Sequence, residues 1–240
     1  PSPEAAAHSR ALVAAISREI AAQGGWVPFE RFMAMALYEP GLGYYSAGAR
    51  KFGTAGDFVT APEMSAHFGR ALAHQLVQVM DASAPNVLEV GAGSGRLAAD
   101  LLLELERLGK LPARYDILDL SADLRERQRA TLAAVAPHLL SRVSWLDRLP
   151  EQFSGVVVAN ELLDAMPAHV VAWRAEGIFE RGVQMDGAGG FTWNERPASG
   201  ALLEAAEEIA AQCALPPGYE SEISLAARAL SAEWGHRSVN

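Results

Sequence analysis

Three glycines at alternate positions, Gly91, Gly93 and Gly95, follow a short β-prone run (Val87, Leu88, Val90). A helical pattern comes next, with Leu97, Leu101, Leu102 and Leu105 at spacings of three and four. Strand, glycine turn and helix in that order bring the backbone of an open α/β sheet against a ligand. Glycine suits such a turn because the φ/ψ values are unusual and no side chain can block the approach. Glu89 carries the chemistry of this stretch. Parallel strands are usually apolar on both faces, and a buried carboxylate is costly unless a partner satisfies it. At a strand end beside a glycine turn, a cationic or hydrogen-donating ligand would be that partner. A second polar group, Asn160-Glu161-Leu162-Leu163-Asp164, follows the run Gly155 to Ala159, where a later strand would empty. Each has a plain structural alternative: a glycine turn without a ligand, and an Asn160 helix cap followed by exposed acids.

The spacing separates this loop from other glycine-rich loops. A dinucleotide fingerprint G-x-G-x-x-G counted from Gly91 would put its third glycine at Arg96, and the G-K-[ST] of a P-loop is missing. The remaining pattern, E-x-G-x-G-x-G from Glu89 to Gly95, resembles the loop of class I S-adenosylmethionine-dependent methyltransferases.

The rest of the chain must position these groups. Its 240 residues are half apolar, enough for a substantial core in one main domain with additions. A net charge of −9 argues against a general nucleic-acid binder. The single cysteine, Cys213, excludes an internal disulfide framework and a Cys-rich zinc site. The six histidines show no metal-ligand spacing, so no metal is expected. No apolar run is long enough for membrane insertion, and Glu4, Arg10, Arg18 and Glu19 interrupt any signal-peptide pattern. The expected location is cytoplasmic, or organellar after loss of a presequence.

Helices are expected over Glu4 to Gln23, ended by Gly24-Gly25, and over Phe29 to Leu37. Gly41 to Pro62 lacks periodicity and reads as a functional loop. A helix follows from Glu63 to Met80, then the glycine-loop unit. Tyr115 to Leu120 reads as a second strand that closes on Asp119, followed by a helix from Ala122 to Val135. A third strand spans Arg142 to Leu146 and a fourth Gly155 to Ala159. This alternation predicts a parallel, doubly wound α/β sheet. His169 to Trp173, Ile178 to Met185 and Phe191 to Trp193 form a β-meander insertion, and helices over Gly200 to Cys213 and Glu222 to Trp234 follow. The expected parts are N-terminal helices with a lid loop (1–85), a Rossmann-like core (86–167), and meander with helices (168–240).

Four runs in order resemble MidA-type methyltransferases: Tyr38-Glu39-Pro40-Gly41-Leu42-Gly43-Tyr44-Tyr45, Gly56-Asp57-Phe58-Val59-Thr60-Ala61-Pro62-Glu63, the Glu89 loop, and Asn160-Glu161-Leu162-Leu163-Asp164-Ala165-Met166-Pro167. Gly218-Tyr219-Glu220-Ser221-Glu222 also fits. The family includes a mitochondrial protein-arginine methyltransferase that acts in complex I assembly. The resemblance covers about Val27 to Trp234. It implies S-adenosyl-L-methionine as cofactor and a protein substrate, possibly a complex I subunit, with the mitochondrial matrix as location in a eukaryote. The family continues past the point where this chain stops, so further C-terminal strands are expected to be missing and the sheet edge unfinished.

The resemblance distributes roles among the candidate residues. Backbone N–H groups of Gly91, Gly93 and Gly95, at a helix N-terminus, suit the cofactor carboxylate. Glu89 would take its ammonium, and Asp119 would bridge the ribose hydroxyls. Asp147 would accept from the adenine amine, with a simple surface acid as the equal alternative. Asp57, Thr60 and Glu63, on the lid, are expected to reach the cofactor or the arginine. Asn160, Glu161 and Asp164 would orient the guanidinium, Glu161 and Asp164 sharing a face if a helix starts there. The alternatives are an assembly or binding factor that keeps the fold without turnover, or methylation of a small molecule.

Overall fold

The computed structural model describes residues 2–46, 60–119, 121–216 and 218–237. The expected residue Asp57 lies outside them. The chain divides into two compact units, Pro1–Ala49 with Asp164–Ala232, and Arg50–Leu163 with Glu233–Asn240. This differs from the expected three parts. The N-terminal helices belong with the meander, and the helix preceding the glycine loop belongs with the parallel sheet.

In the first unit, α1 (Pro3–Ala22) starts where Ser2 Oγ accepts from Ala5 N at 3.1 Å with proline at the first helical position. Strand β1 (Val27–Pro28) follows, and then α2 (Phe29–Tyr38). The second unit opens with α3 (Ala61–Met64) and α4 (Ala66–Ala82). The expected single helix over Glu63 to Met80 is therefore broken. Ser65 is extended (φ −162°, ψ 137°), and its hydroxyl accepts from His67 N to start α4 afresh.

The parallel sheet of the second unit contains β2 (Asn86–Val90), β3 (Arg114–Leu118), β4 (Val143–Leu146) and β5 (Val156–Val158). The crossovers are α5 (Arg96–Arg107) after β2 and α6 (Ala122–Val135) after β3, with a 3₁₀ turn (Pro137–Arg142) leading into β4. Among the described residues the order is β4-β3-β2-β5, all parallel, as the alternation predicted. The order reverses between β2 and β5. That reversal is the switch point at which open α/β sheets hold ligands, beyond the carboxyl ends of the strands. Leu97, Leu101, Leu102 and Leu105 of α5 are buried with Val87, Ile117, Leu132 and Val158, which fixes α5 and hence the turn that starts it.

Returning to the first unit, the chain forms β6 (His169–Arg174), β7 (Gly177–Met185) and β8 (Phe191–Pro197), then α7 (Gly200–Gln212), β9 (Glu220–Ile223) and α8 (Leu225–Arg237), whose last turns cross into the second unit. The meander is part of a larger antiparallel sheet. Among the described residues β7 pairs with β8, β6 and β1, and β9 pairs with β6. Val171 and Trp173 of β6 face Leu202 and Ala206 of α7, whereas Val183 of β7 joins Ile16, Ile20 and Met35 of α1 and α2. The last helix does not start at Glu222 as expected, because Glu220–Ile223 is strand. Arg174 Nη2 donates to Glu220 Oε1 at 2.5 Å and Arg181 pairs with the other oxygen, so Glu220 clasps β9 across the sheet.

Candidate functional site

Glu89 is 2 % exposed near the end of β2, and Tyr115 Oη donates to its Oε2 at 2.6 Å. Val87 pairs with Tyr115 across β2–β3, so Glu89, two residues on, shares the face of the sheet on which the phenol stands. Burial pushes the Glu89 carboxyl up to about 7; the Tyr115 hydrogen bond opposes the rise and the nearby Asp119 charge adds to it. Tyr115, wholly buried beside that carboxyl, is pushed well above the usual phenol range and stays a neutral donor. A carboxyl tuned this way gains most from a cation brought to it.

The turn that follows has φ of 72°, 53° and 81° at Gly91, Gly93 and Gly95, values that L side chains rarely adopt. Two of these glycines serve different purposes. A Cβ on Gly95, the N-cap of α5, would come within 2.9 Å of Gln128 Cα, so packing demands its absence. A Cβ on Gly93 would meet no protein atom within 4 Å, so the constraint there is the backbone conformation and whatever approaches the turn. On the β5 side a Cβ on Gly91 would reach Leu162 Cδ1 at 3.0 Å, which sets the Asn160–Leu163 segment beside the turn at the switch point.

Asp119, 9 % exposed, follows β3. Its Oδ1 accepts from Ser121 N at 3.0 Å and its Oδ2 from Gln128 Nε2 at 2.8 Å. Ser121, not Asp119, caps α6, its Oγ accepting from Leu124 N. Gln128 is fully buried and holds three parts of the site: its Nε2 also donates to Gly93 O at 3.1 Å, and its Oε1 accepts from Trp145 Nε1 at 2.9 Å. Sequence reasoning missed Gln128 and Tyr115. A signal existed for Gln128, since Leu124, Gln128 and Leu132 fall at i, i+4 and i+8 on α6 and put an amide on its inward stripe.

Thr60 precedes α3 without a side-chain capping bond, and Glu63 Oε1 accepts a short hydrogen bond from Ser94 Oγ, which ties α3 to the glycine turn. Asp147 has a side chain 89 % exposed and accepts from Arg125 Nη1 at 2.6 Å. Arg125 also donates to the carbonyls of Asp119 and Leu146, at 2.5 and 2.6 Å, and so joins the ends of β3 and β4.

Asn160 to Met166 does not begin a helix, which corrects the expected helical step between Glu161 and Asp164. Asp164 falls in the first unit and Glu161 in the second. Among the described non-glycine residues Glu161 alone has a positive φ, 51°. A left-handed glutamate costs on the order of 1–3 kcal/mol, and such strain gathers at functional sites.

The geometry offers backbone donors at a helix N-terminus, a buried carboxyl ready for a cation, and a second carboxylate held for hydroxyl donors. These are the partners that a carboxylate, an ammonium and a ribose diol require. Residues 71–240 match the family described as "Putative S-adenosyl-L-methionine-dependent methyltransferase". The chain is 49 % identical to a likely methyl transferase from Burkholderia thailandensis crystallised with S-adenosyl-homocysteine, at a TM-score of 0.89, covering all of this chain and 62 % of that one. It is 30 % identical to the mitochondrial protein arginine methyltransferase NDUFAF7 of Bos taurus over 60 % of this chain and 38 % of that protein. The Mus musculus counterpart is also 30 % identical, over 68 % of this chain and 43 % of its own length. The chain thus spans less than half the length of these curated relatives. With the match covering both the glycine turn and the Asn160 segment, the chain belongs to this S-adenosyl-L-methionine-dependent methyltransferase family.

Proposed function

We propose that this protein binds S-adenosyl-L-methionine and directs methyl transfer to an arginine of a protein substrate. The observation that carries the reading is the buried Glu89 carboxyl, held by Tyr115 beside the Gly91–Gly95 turn at the switch point of the sheet. Glu89 would take the ammonium, the N–H groups of the turn the carboxylate, and Asp119 the ribose hydroxyls, with Gln128 fixing Asp119 and the turn in one register. Asp147 keeps one carboxylate oxygen for the adenine amine while Arg125 holds the other. When bound, the cofactor supplies an activated methyl group on a sulfonium.

Transfer to a nitrogen in line with that methyl depends mainly on positioning. Asn160 and Glu161 would hold the planar guanidinium through charge-assisted hydrogen bonds. The left-handed Glu161, exposed next to Leu162 and the turn, supports this role. Arginine as the acceptor is supported by the names of the curated relatives, and a complex I subunit as substrate by the resemblance alone. Among the described residues no helix is long and apolar enough to cross a membrane. Incubation with methyl-labelled cofactor and a host-cell extract tests the proposal: label on an arginine of a protein supports it. Label confined to small molecules or to other residues refutes it.

A further inference from the structure

Not every N–H group of the glycine turn is open to a ligand. Gly91 N donates to Leu118 O at 3.0 Å, Gly95 N to Ala92 O at 2.8 Å, and Arg96 N to Ser94 Oγ at 3.3 Å. The N–H groups of Ala92, Gly93 and Ser94 donate to nothing among the described residues, and three in succession form the concavity that cradles an anion. Ser94 has a second attachment. Its hydroxyl donates a short hydrogen bond to Glu63 Oε1, so a half-buried carboxylate stands at the same turn, within the same unit. Glu63 is the third residue of α3, where a glutamate commonly reaches back to the cap of its own helix. Here Thr60 makes no side-chain capping bond, and the carboxylate is turned to Ser94 instead. Among the described residues no lysine, arginine or histidine pairs with Glu63, and its Oε2 has no protein donor. A carboxylate beside an anion seat repels a plain anion and favours one that carries a positive charge close by.

We propose that Glu63 is a second acceptor for the ammonium of S-adenosyl-L-methionine, and that it makes the site select a zwitterionic amino-acid end. The proposal rests on the methyltransferase reading above. The carboxylate and ammonium of an α-amino acid share one carbon. A carboxylate seated on the Ser94 N–H therefore brings its ammonium toward the acid that the Ser94 hydroxyl holds. An ammonium has three N–H donors. Glu89 offers it one oxygen, because Tyr115 holds the other, and Glu63 Oε2 supplies a further acceptor. The selection has an attractive and a repulsive part. A ligand with the ammonium gains a charge-assisted hydrogen bond, whereas one without it sets its carboxylate against Glu63 uncompensated. Ser94 is then a positioning residue that ties the anion seat to the cation acceptor.

Calorimetry at pH 8 tests this with S-adenosylhomocysteine and its deaminated analogue, in which a carboxypropyl chain replaces homocysteine. Glu63→Gln keeps an oxygen for the Ser94 hydroxyl and loses only the charge. It should weaken S-adenosylhomocysteine binding about tenfold and leave the analogue bound at least as tightly as by wild type. Glu89→Gln should also lower the discrimination between the two ligands, because the ammonium is shared. Ser94→Ala, which frees the acid without removing it, should lower the discrimination about two- to fivefold. It carries the comparison if Glu63→Gln fails to fold. Discrimination unchanged in either variant, with both ligands weakened alike, would make Glu63 a clasp for α3 alone and overturn the assignment. So would discrimination that only Glu89→Gln reduces. Failure of the methyltransferase reading would look different, with neither ligand bound by the wild type.

Discussion

Replacing Glu89 by glutamine should make the free protein more stable and the cofactor complex weaker. The carboxyl rises from 4.5 to about 7, chiefly through burial. For an acid with a raised pKa, the stability contributed by the neutral form is fully present below pH 4.5 and is lost as pH rises through about 7. At about 1.4 kcal/mol per unit, ionised Glu89 costs the free protein roughly 3 kcal/mol above pH 7. Glutamine is neutral throughout and keeps an oxygen for the Tyr115 hydroxyl. Urea unfolding should therefore find Glu89→Gln up to about 3 kcal/mol more stable at pH 8 and nearly equal to wild type at pH 4.5. Binding should move the other way. Loss of a charge-assisted contact to an ammonium costs about 1.5–3 kcal/mol, so S-adenosylhomocysteine affinity should fall roughly ten- to 150-fold. Wild-type affinity should rise with pH up to about 7, with proton release seen by calorimetry in buffers of different ionisation enthalpy, and the variant should show neither. A variant that is less stable at pH 8, or that binds the cofactor as tightly as wild type with the same pH dependence, would refute the role given to Glu89.

Gly93→Val should abolish S-adenosylhomocysteine binding in calorimetry and, since a Cβ there meets no protein atom within 4 Å, leave the protein folded by circular dichroism at a cost in stability set by the positive φ. Gln128→Leu strands Trp145 Nε1 and releases Asp119 and Gly93 O, so it should destabilise the protein by about 1–3 kcal/mol and weaken cofactor binding about tenfold, measured by urea unfolding and calorimetry. Glu161→Gln should leave cofactor affinity within a few-fold and cut single-turnover methyl transfer by about 10² or more, because water exclusion amplifies the loss of charge. Unchanged transfer would remove Glu161 as a guanidinium-orienting residue.

The sequence by itself determined the strand–turn–helix at Glu89, because alternating glycines, a β-branched run and a leucine stripe each act within a few residues. The parallel direction of the four strands followed from the alternation of strands with helices, whereas their order came from the tertiary structure. Sequence also placed the helix from Ala122 to Val135 directly after β3, again over short distances. Tertiary structure alone decided that Glu220–Ile223 is a strand, because its partners on β6 and the arginines that hold Glu220 lie far away in the chain. It alone broke the helix at Ser65, where local periodicity continued but the chain had to bring Glu63 to Ser94. The conformation of Glu161 was likewise invisible to periodicity, which reads i, i+3 as a helical step whether or not the backbone is helical. Above all, the hub at Gln128 joins a turn, a strand end and a neighbouring strand, and no spacing in the sequence encodes which distant groups a buried amide will meet.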